Sequence, residues 1–392
     1  MPPAESGMTR PVRLPRLAML AWAVAALVLA VLGVAVVHYL SGGGPSAPAG
    51  MAGMAGMKSS GADALVRAGG NPLRPLFGPA LFTSWQLDAV ALAVLVLAAA
   101  AYLTGVALVG VRRPGTRWPR RRTFTFLAGL AACAFATNGS IAVYDQVLFS
   151  AHMIGHLVLV MVAPALLVTG RPLTLALTVA GDPRRARLER VARGRVVSLL
   201  TAPPVALATY TAVIVGSHLT GLMDAVMRNT WAGQFEHLVY LVAGWQFFVL
   251  IVGDEPIRWR LSAPARWLLL AVAMAVDTFT GVVLMQGTRT IAMLSSPTLH
   301  VDALADTRTG GAIMWFGGDA VMATVMIVLV VGWLRHADAS TATDEQGWLE
   351  QARRATFTAH TGAAAGDSSG LDEDETARAS YNDWLAQLSR ER

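Results

Sequence analysis

Cysteine is almost absent from this chain of 392 residues, which contains a single one, Cys133. One thiol cannot build a disulfide framework, and it supplies neither a Cys-x-x-Cys redox motif nor a thiolate zinc site. Cys133 also lies within an apolar run. Any metal that this protein binds must therefore be held by histidine, methionine or carboxylate side chains.

Charged residues are scarce as well. Only 14% of the residues are charged and 54% are hydrophobic, which is typical of a polytopic membrane protein and not of a soluble enzyme. A helix needs about 20 mostly apolar residues to cross the hydrocarbon of a bilayer. Runs of this kind occur at residues 17–37, 85–111, 123–143, 152–170, 201–217, 234–252, 267–287 and 312–334. We predict an all-α transmembrane bundle of about eight spans.

Basic residues are unevenly shared between the loops. Of the 31 Lys and Arg residues, 19 lie in residues 1–16, 112–122, 171–200 and 253–266, whereas 6 lie in the alternate loops. By the positive-inside rule, the arginine-rich loops and both chain termini face the cytoplasm. The pI of about 10.1 therefore indicates membrane topology, and we predict no nucleic-acid partner.

The predicted spans divide the chain into four parts. Residues 1–37 form a cytoplasmic N-terminus and an anchor helix, whose apolar run is longer than a usual signal-peptide core and favours a retained anchor over a cleaved signal. Residues 38–81, rich in Gly, Ala, Pro and Ser, form an outer flexible linker. Residues 82–335 form a seven-helix domain, and residues 336–392 form a polar cytoplasmic tail.

The linker contains the repeat GMAGMAGMK, with Met51, Met54 and Met57. Neutral thioethers bind Cu(I) without losing a proton, so the repeat is a possible arm that captures copper. The alternative is low-complexity drift in an Ala/Gly linker.

The motif HMIGH places His152 and His156 one helical turn apart at the start of the span predicted over 152–170. Their spacing puts both rings on one helix face, with Cβ atoms about 5–6 Å apart. The predicted topology brings His218 and His237 to the same outer face. Imidazole suits Zn, Cu, Fe and Ni, and we predict a metal site formed by these four histidines. The alternative is a set of interfacial histidines that hydrogen-bond across helices or face the lipid headgroups.

Other polar residues are open to more than one interpretation. Glu236, Asp306 and His300 either support the metal site by orienting its ligands or are simply polar loop residues. Asp277 and Asp319 lie deeper in the spans. They pair with each other, pair with Asn138, or mark a polar path, and the sequence does not choose among these.

Several motifs together resemble the CtaG-type integral-membrane cytochrome c oxidase assembly factor family of Gram-positive and actinobacterial lineages. The likeness covers residues 82–335 and begins with a W-x-x-D opening helix at Trp85 and Asp88. It is strongest at VLFSAHMIGHLVLVMVAPALLVTGRP. It continues through SHLTGLMDAVMRNTWAGQFEHLVYLVAG and DTRTGGAIMWFGGD.

The resemblance implies a multi-pass protein of the bacterial plasma membrane that is not an enzyme. It implies copper handling at the outer face and support for copper insertion into the catalytic subunit of a haem-copper oxidase. We expect the ion to be Cu(I), because thioethers favour it, and to be bound transiently. The copper donor is not implied. Two alternatives are a b-type membrane cytochrome with two histidines as axial haem ligands and a copper permease. Against them, the inner half of the spans has neither a second histidine pair nor a row of His and Met.

Overall fold

The computed structural model describes residues 78–220, 230–288 and 301–335, together with isolated positions 73, 76, 222, 223, 290, 291 and 299 and, in the tail, 379, 382, 383, 386 and 390. The chain divides into two compact units, Met1–Met326 and Ile327–Arg392. The first unit holds the bundle described below. In the second, residues 327–335 are helical. The predicted anchor lies outside the described residues, as does most of the predicted linker.

All regular secondary structure in the described residues is helical, which confirms the predicted all-α class. A helix pairs its backbone N–H and C=O groups within one segment, as is required where lipid offers no hydrogen-bond partners. Two π-helical segments, Val158–Val162 and Ile313–Gly317, continue the helices before them. In chain order the α-helices are Ala80–Thr83 (α1), Ala89–Arg112 (α2), Arg120–Asn138 (α3), Ser140–Tyr144 (α4), Phe149–Leu157 (α5), Ala163–Thr169 (α6), Pro172–Val179 (α7), Asp182–Ala192 (α8), Arg195–Leu200 (α9), Pro203–Leu219 (α10), Thr230–Ile251 (α11), Ala263–Gln286 (α12) and Ala303–Ala312 (α13).

Six helical stretches of the described chain are long and apolar enough to cross a membrane. They are Ala89–Arg112, Arg120–Tyr144, Phe149–Val179, Ala232–Ile251, Ala263–Gln286 and Ala303–Arg335. Helix α10, with 17 residues, is slightly shorter and extends about 26 Å at 1.5 Å per residue. Large apolar side chains such as Val90, Leu268 and Phe279 are exposed on this bundle, as expected for side chains that face lipid. The number of eight spans stays a prediction.

The stretch that carries the HMIGH motif lies at the centre of the bundle. Its apolar part, within Phe149–Val179, is 61% buried, compared with 22% for Ala89–Arg112. Helices α3, α11 and α13 all pack against it. Side chains on this stretch therefore face protein on several sides, whereas α2 presents most of its surface outward.

A proline in the central stretch and a glycine in α11 allow these two helices to pack closely. Pro164 has no N–H to donate to the carbonyl of Val160, four residues earlier. Gly244 of α11 lies directly against that carbonyl, because a Cβ atom at Gly244 would be 2.1 Å from the Val160 oxygen. Only glycine allows this close helix approach. Gly244 follows Glu236 by about two helical turns, so the contact also positions the helix that carries Glu236.

A buried carboxylate links two segments at the end of the bundle away from the HMIGH motif. Glu255, 3% exposed, accepts hydrogen bonds from the backbone N–H groups of Leu173 (3.0 Å) and Thr174 (2.9 Å) in the first turn of α7. Arg171, immediately before this turn, has a left-handed backbone with φ of 53° and pairs with Asp254. Burial raises the pKa of the Glu255 carboxyl, while the hydrogen bonds from Thr174 lower it.

Candidate metal centre

The two histidines of the HMIGH motif are buried side by side on α5. His152 and His156 are 2% and 3% exposed, and their ring centroids lie 4.0 Å apart. Their i, i+4 spacing produces this proximity. Two imidazoles inside a membrane bundle are expensive unless they bind a partner, so their surroundings indicate what they do.

Asp306 of α13 holds the first turn of the histidine helix. Its carboxylate accepts from the Phe149 N–H at 2.6 Å and from the Ser150 hydroxyl at 2.6 Å. The first N–H groups of a helix have no intrahelical acceptor, so this carboxylate caps α5 from a distant part of the chain. Gly310, one turn further along α13, leaves room for the Phe149 ring, which a Cβ atom there would meet at 2.4 Å. Asp306 thus positions the histidines without lying among them.

Glu236 of α11 faces both histidines. The Nε2 atoms of His152 and His156 each lie 3.7 Å from the same Glu236 Oε2, and one ligand atom from each residue falls within a group less than 4.8 Å across. A separation of 3.7 Å is too long for a hydrogen bond. It fits two atoms that share an ion, because ligands about 2.0 Å from one metal lie up to about 4 Å apart.

The facing atoms of this group have no other partner. His152 Nε2, His156 Nε2 and both carboxylate oxygens of Glu236 are buried and lack a hydrogen bond among the described residues. Buried polar atoms are nearly always satisfied, and exceptions need an explanation. A cation between the two rings and the carboxylate would satisfy the facing atoms together, so the residues present fit a metal.

A chain of hydrogen bonds behind His156 determines which of its nitrogens is free. The Ile214 carbonyl, 2.7 Å from His218 Nδ1, can only accept, so that nitrogen carries the proton. His218 Nε2 is then an acceptor, and His156 Nδ1, 3.1 Å away, must donate to it. The remaining nitrogen, His156 Nε2, therefore presents its lone pair to Glu236. His218 thus orients His156 from behind, in the way that outer hydrogen bonds commonly orient the histidines of metal sites.

His237, predicted as a ligand, is not among the residues whose ligand atoms converge. It lies within electrostatic range of Glu236 and of Asp88. The Asp88 backbone N–H donates to Asn138 Oδ1 at 2.8 Å, which ties the predicted W-x-x-D segment to the end of α3. His237 Nδ1 and Asp88 Oδ2 are both buried without a hydrogen bond in the described part of the chain. Of these two adjacent residues in the described part of α11, only Glu236 brings a ligand atom into the converging group.

Two further polar side chains complete the surroundings of His156. Tyr240, one turn after Glu236 on α11, stacks on the His156 ring with centroids 4.0 Å apart and planes 23° from parallel. Its hydroxyl contacts Ser217 Oγ, which lies 2.8 Å from His218 Nδ1. Neither residue was predicted. The i, i+4 spacing from Glu236 was the available signal for Tyr240, whereas nothing in the sequence singled out Ser217.

The deeper carboxylates have separate partners. Asp277 Oδ2 accepts from the Tyr210 hydroxyl at 2.9 Å, and Asp319 accepts from the Thr278 hydroxyl at 3.0 Å. The Asn138 amide oxygen is instead used by Asp88. Of the remaining predicted site residues, His300, Met51, Met54 and Met57 lie outside the described residues.

Known proteins match the same region of the chain. A sequence model of the cytochrome c oxidase caa3 assembly factor family matches residues 100–336, which include α5, α11 and the metal group. Uncharacterized proteins of Mycobacterium bovis and Mycobacterium tuberculosis are each 32% identical over 287 residues, covering 68% of this chain and 43% of their own length. An uncharacterized protein of Mycobacterium leprae is 31% identical over 326 residues, covering 79% of this chain and 45% of its own.

The chain thus spans less than half the length of these curated relatives. No solved structure matches it. The family match covers more than half of the chain, and the HMIGH helix, the Glu236 helix and the capping Asp306 all lie within it. The chain belongs to the cytochrome c oxidase caa3 assembly factor family.

Proposed function

We propose that this protein is a membrane copper chaperone for the respiratory chain. It holds Cu(I) transiently between His152, His156 and Glu236, at the outer face of the bacterial plasma membrane, and supports its insertion into the catalytic subunit of a haem-copper oxidase. Copper is cargo here, and no reaction is catalysed. The observation that carries the proposal is the convergence of three buried ligand groups whose facing atoms lack other partners.

Charge favours the monovalent ion. The group contains one carboxylate, Glu236, and it is 7% exposed. With two neutral imidazoles, Cu(I) makes the group electrically neutral, whereas a divalent ion leaves one uncompensated positive charge in a buried site. Burying an unpaired charge is far more costly than burying a neutral pair. The sulfur-free ligand set also lets Cu(I) leave more readily than a thiolate site would.

The rest of the site supports this role by holding the ligands. The hydrogen bond to His218 keeps the His156 proton on Nδ1 and leaves Nε2 free for copper. Asp306 fixes the start of the helix that carries both ligands. A ligand group built on rigid helices is ready for the ion before it arrives, which reduces the entropy lost on binding.

The geometry disfavours the haem alternative. Two axial ligands of one haem lie on opposite faces of the macrocycle. His152 and His156 stand on the same helix face with ring centroids 4.0 Å apart, and both Nε2 atoms face one carboxylate oxygen. This arrangement leaves no space for a macrocycle between the rings.

The direct test is copper retention by the full-length protein in detergent, titrated anaerobically with Cu(I) against a chromophoric Cu(I) chelator. The variant His152→Ala/His156→Ala should lose its bound copper, because the two imidazoles supply most of the ligand set. The matched control is His237→Ala, which removes a buried imidazole outside the converging group and should retain copper.

Copper content in cells extends the test to the target. The double variant should lower the copper content of the oxidase, whereas His237→Ala should not. Equal copper retention by the parent and the double variant would overturn the site. Loss of copper in His237→Ala as well would replace the three-residue group by the wider histidine set predicted from sequence.

A further inference from the structure

A cavity of about 170 Å³ lies beside the histidine group, between the end of α10 and the end of α12. By the predicted topology, both of these helix ends face the outer side of the membrane. The volume has room for several water molecules, or for an ion with part of its hydration shell. Its described lining consists of His218, Leu219, Thr220, Met223, Val283, Leu284, Gly287 and Ile291.

The lining is chemically selective. Met223 lines the cavity and is 1% exposed, so its side chain is enclosed by the protein and supplies a soft thioether at the cavity. Most of the other lining residues are aliphatic, and the described lining contains no carboxylate. A hydrated divalent cation would lose its water here without gaining a charged ligand. Cu(I) prefers soft, neutral sulfur and imidazole ligands, and its single charge costs less to strip of water than the double charge of a divalent ion.

His218 connects the cavity to the metal group. It belongs to the cavity lining, and its Nε2 lies 3.1 Å from His156 Nδ1. One imidazole ring therefore separates an ion in the cavity from the ring of a proposed copper ligand.

We propose that this cavity is the port through which Cu(I) reaches the histidine group, with the Met223 thioether as its first ligand and His218 as the side chain that it must pass. This inference rests on the proposed function and adds to it the route and the soft first ligand. The ion moves by ligand exchange: a bond from copper to sulfur breaks as a bond to an imidazole nitrogen forms. Copper remains Cu(I) throughout, and neither an electron nor a proton is consumed.

The port gives Met223 a kinetic role that differs from that of His152 and His156. Removing its sulfur should slow loading and release without changing the amount of copper held at equilibrium. The variant Met223→Leu removes the thioether and keeps a similar apolar volume. The matched control is Met322→Leu, at a methionine that is 0% exposed and outside the cavity lining.

A second variant tests the route by size alone. Thr220 lines the cavity and is exposed at its mouth, so Thr220→Trp places a large ring there without overfilling the core. The matched control is Thr309→Trp, an exposed threonine on α13 whose hydroxyl bonds to the carbonyl four residues earlier, at Ala305, and which does not line the cavity.

The experiment measures rates and end points separately in the full-length protein. Cu(I) is supplied anaerobically as a chromophoric chelator complex in a stopped-flow instrument, and bound copper is later extracted with a stronger Cu(I) chelator. We expect Met223→Leu and Thr220→Trp each to slow both rates by about tenfold, which corresponds to a rise of about 1.4 kcal/mol in each activation free energy. The final stoichiometry should equal that of the parent, and both controls should exchange at the parental rate.

Different outcomes separate this inference from the proposed function. Parental rates in both test variants, with full copper loading, would overturn the port and leave the copper site intact. A lowered equilibrium affinity in Met223→Leu that comes from faster release, with an unchanged loading rate, would make Met223 a permanent ligand and would also overturn the port. A parent protein that binds no Cu(I) would overturn the proposed function and the port together.

Discussion

The charge of Glu236 should account for much of the copper affinity, and Glu236→Gln removes that charge while preserving shape. The carboxylate oxygen lies 3.7 Å from each histidine Nε2, so an ion between the three groups is less than about 4 Å from it. Two unit charges at 4 Å attract by about 4 kcal/mol at an effective dielectric constant of 20. The amide oxygen of Gln remains a neutral ligand and recovers part of this energy, which leaves a loss of about 3 kcal/mol, or about a hundredfold in Kd.

The assay is an anaerobic competition titration of full-length protein against a Cu(I) chelator of known affinity. Glu255→Gln is the matched control, because it neutralises another buried carboxylate, 3% exposed, beyond the opposite end of α11. Its Kd for copper should equal that of the parent. A Kd for Cu(I) that changes by less than about threefold in Glu236→Gln would refute the reasoning, because removing the charge of a carboxylate that binds the ion should weaken binding much more than this.

Three further changes have defined outcomes. Gly244→Ala should lower the free energy of unfolding by about 1–3 kcal/mol in thermal or denaturant melts, because its Cβ would lie 2.1 Å from the Val160 oxygen. Gly233→Ala on the same helix meets no atom within 4 Å and should leave the free energy of unfolding unchanged or raise it by up to about 1 kcal/mol, because Ala favours a helix more than Gly does. Burial raises the pKa of Glu255 above 4.5, so its stabilising contribution is full below that value and is lost as pH rises through the raised pKa. In melts across this pH interval, the free energy of unfolding should fall more steeply with pH in the parent than in Glu255→Gln. Equal pH slopes in the two proteins would contradict this prediction. Replacing the linker methionines with Ser should raise the copper concentration needed for half-maximal oxidase activity in cells. Activity at high copper should not fall, because a tethered arm raises only the local copper concentration. An unchanged copper requirement would leave residues 38–81 as a plain linker. The residues replaced are Met51, Met54 and Met57.

Apolar length and helical period allowed the architecture to be predicted. Each predicted span from residue 85 onward corresponds to a helix of the structure, because in lipid the backbone has few ways other than a helix to satisfy its polar groups. The last helical run begins earlier than predicted, at Ala303 instead of residue 312. Its first turns carry Asp306, Thr307 and Arg308, so their polar character hid them from a search for apolar runs.

Local spacing also determined that His152 and His156 share one helix face, since residues four apart are always neighbours on a helix surface. Sequence could not decide which side chains from other helices meet them. Glu236 and His237 are adjacent, and successive helical residues point about 100° apart, so the two side chains cannot approach the histidine pair in the same way. Both are polar and both begin the same span, which left no local signal to choose between them.

Tertiary structure made that choice through contacts between distant parts of the chain. The approach of Gly244 to the Val160 carbonyl sets the rotation of α11 and turns Glu236 toward the two rings. Asp306 caps a helix that begins 157 residues before it, and His218 meets His156 across 62 residues. The sequence by itself determined a membrane bundle with a histidine pair on one helix face. The packing of helices decided the third member of the group and the tautomer of His156, because both depend on helix rotation and on partners that no local pattern records.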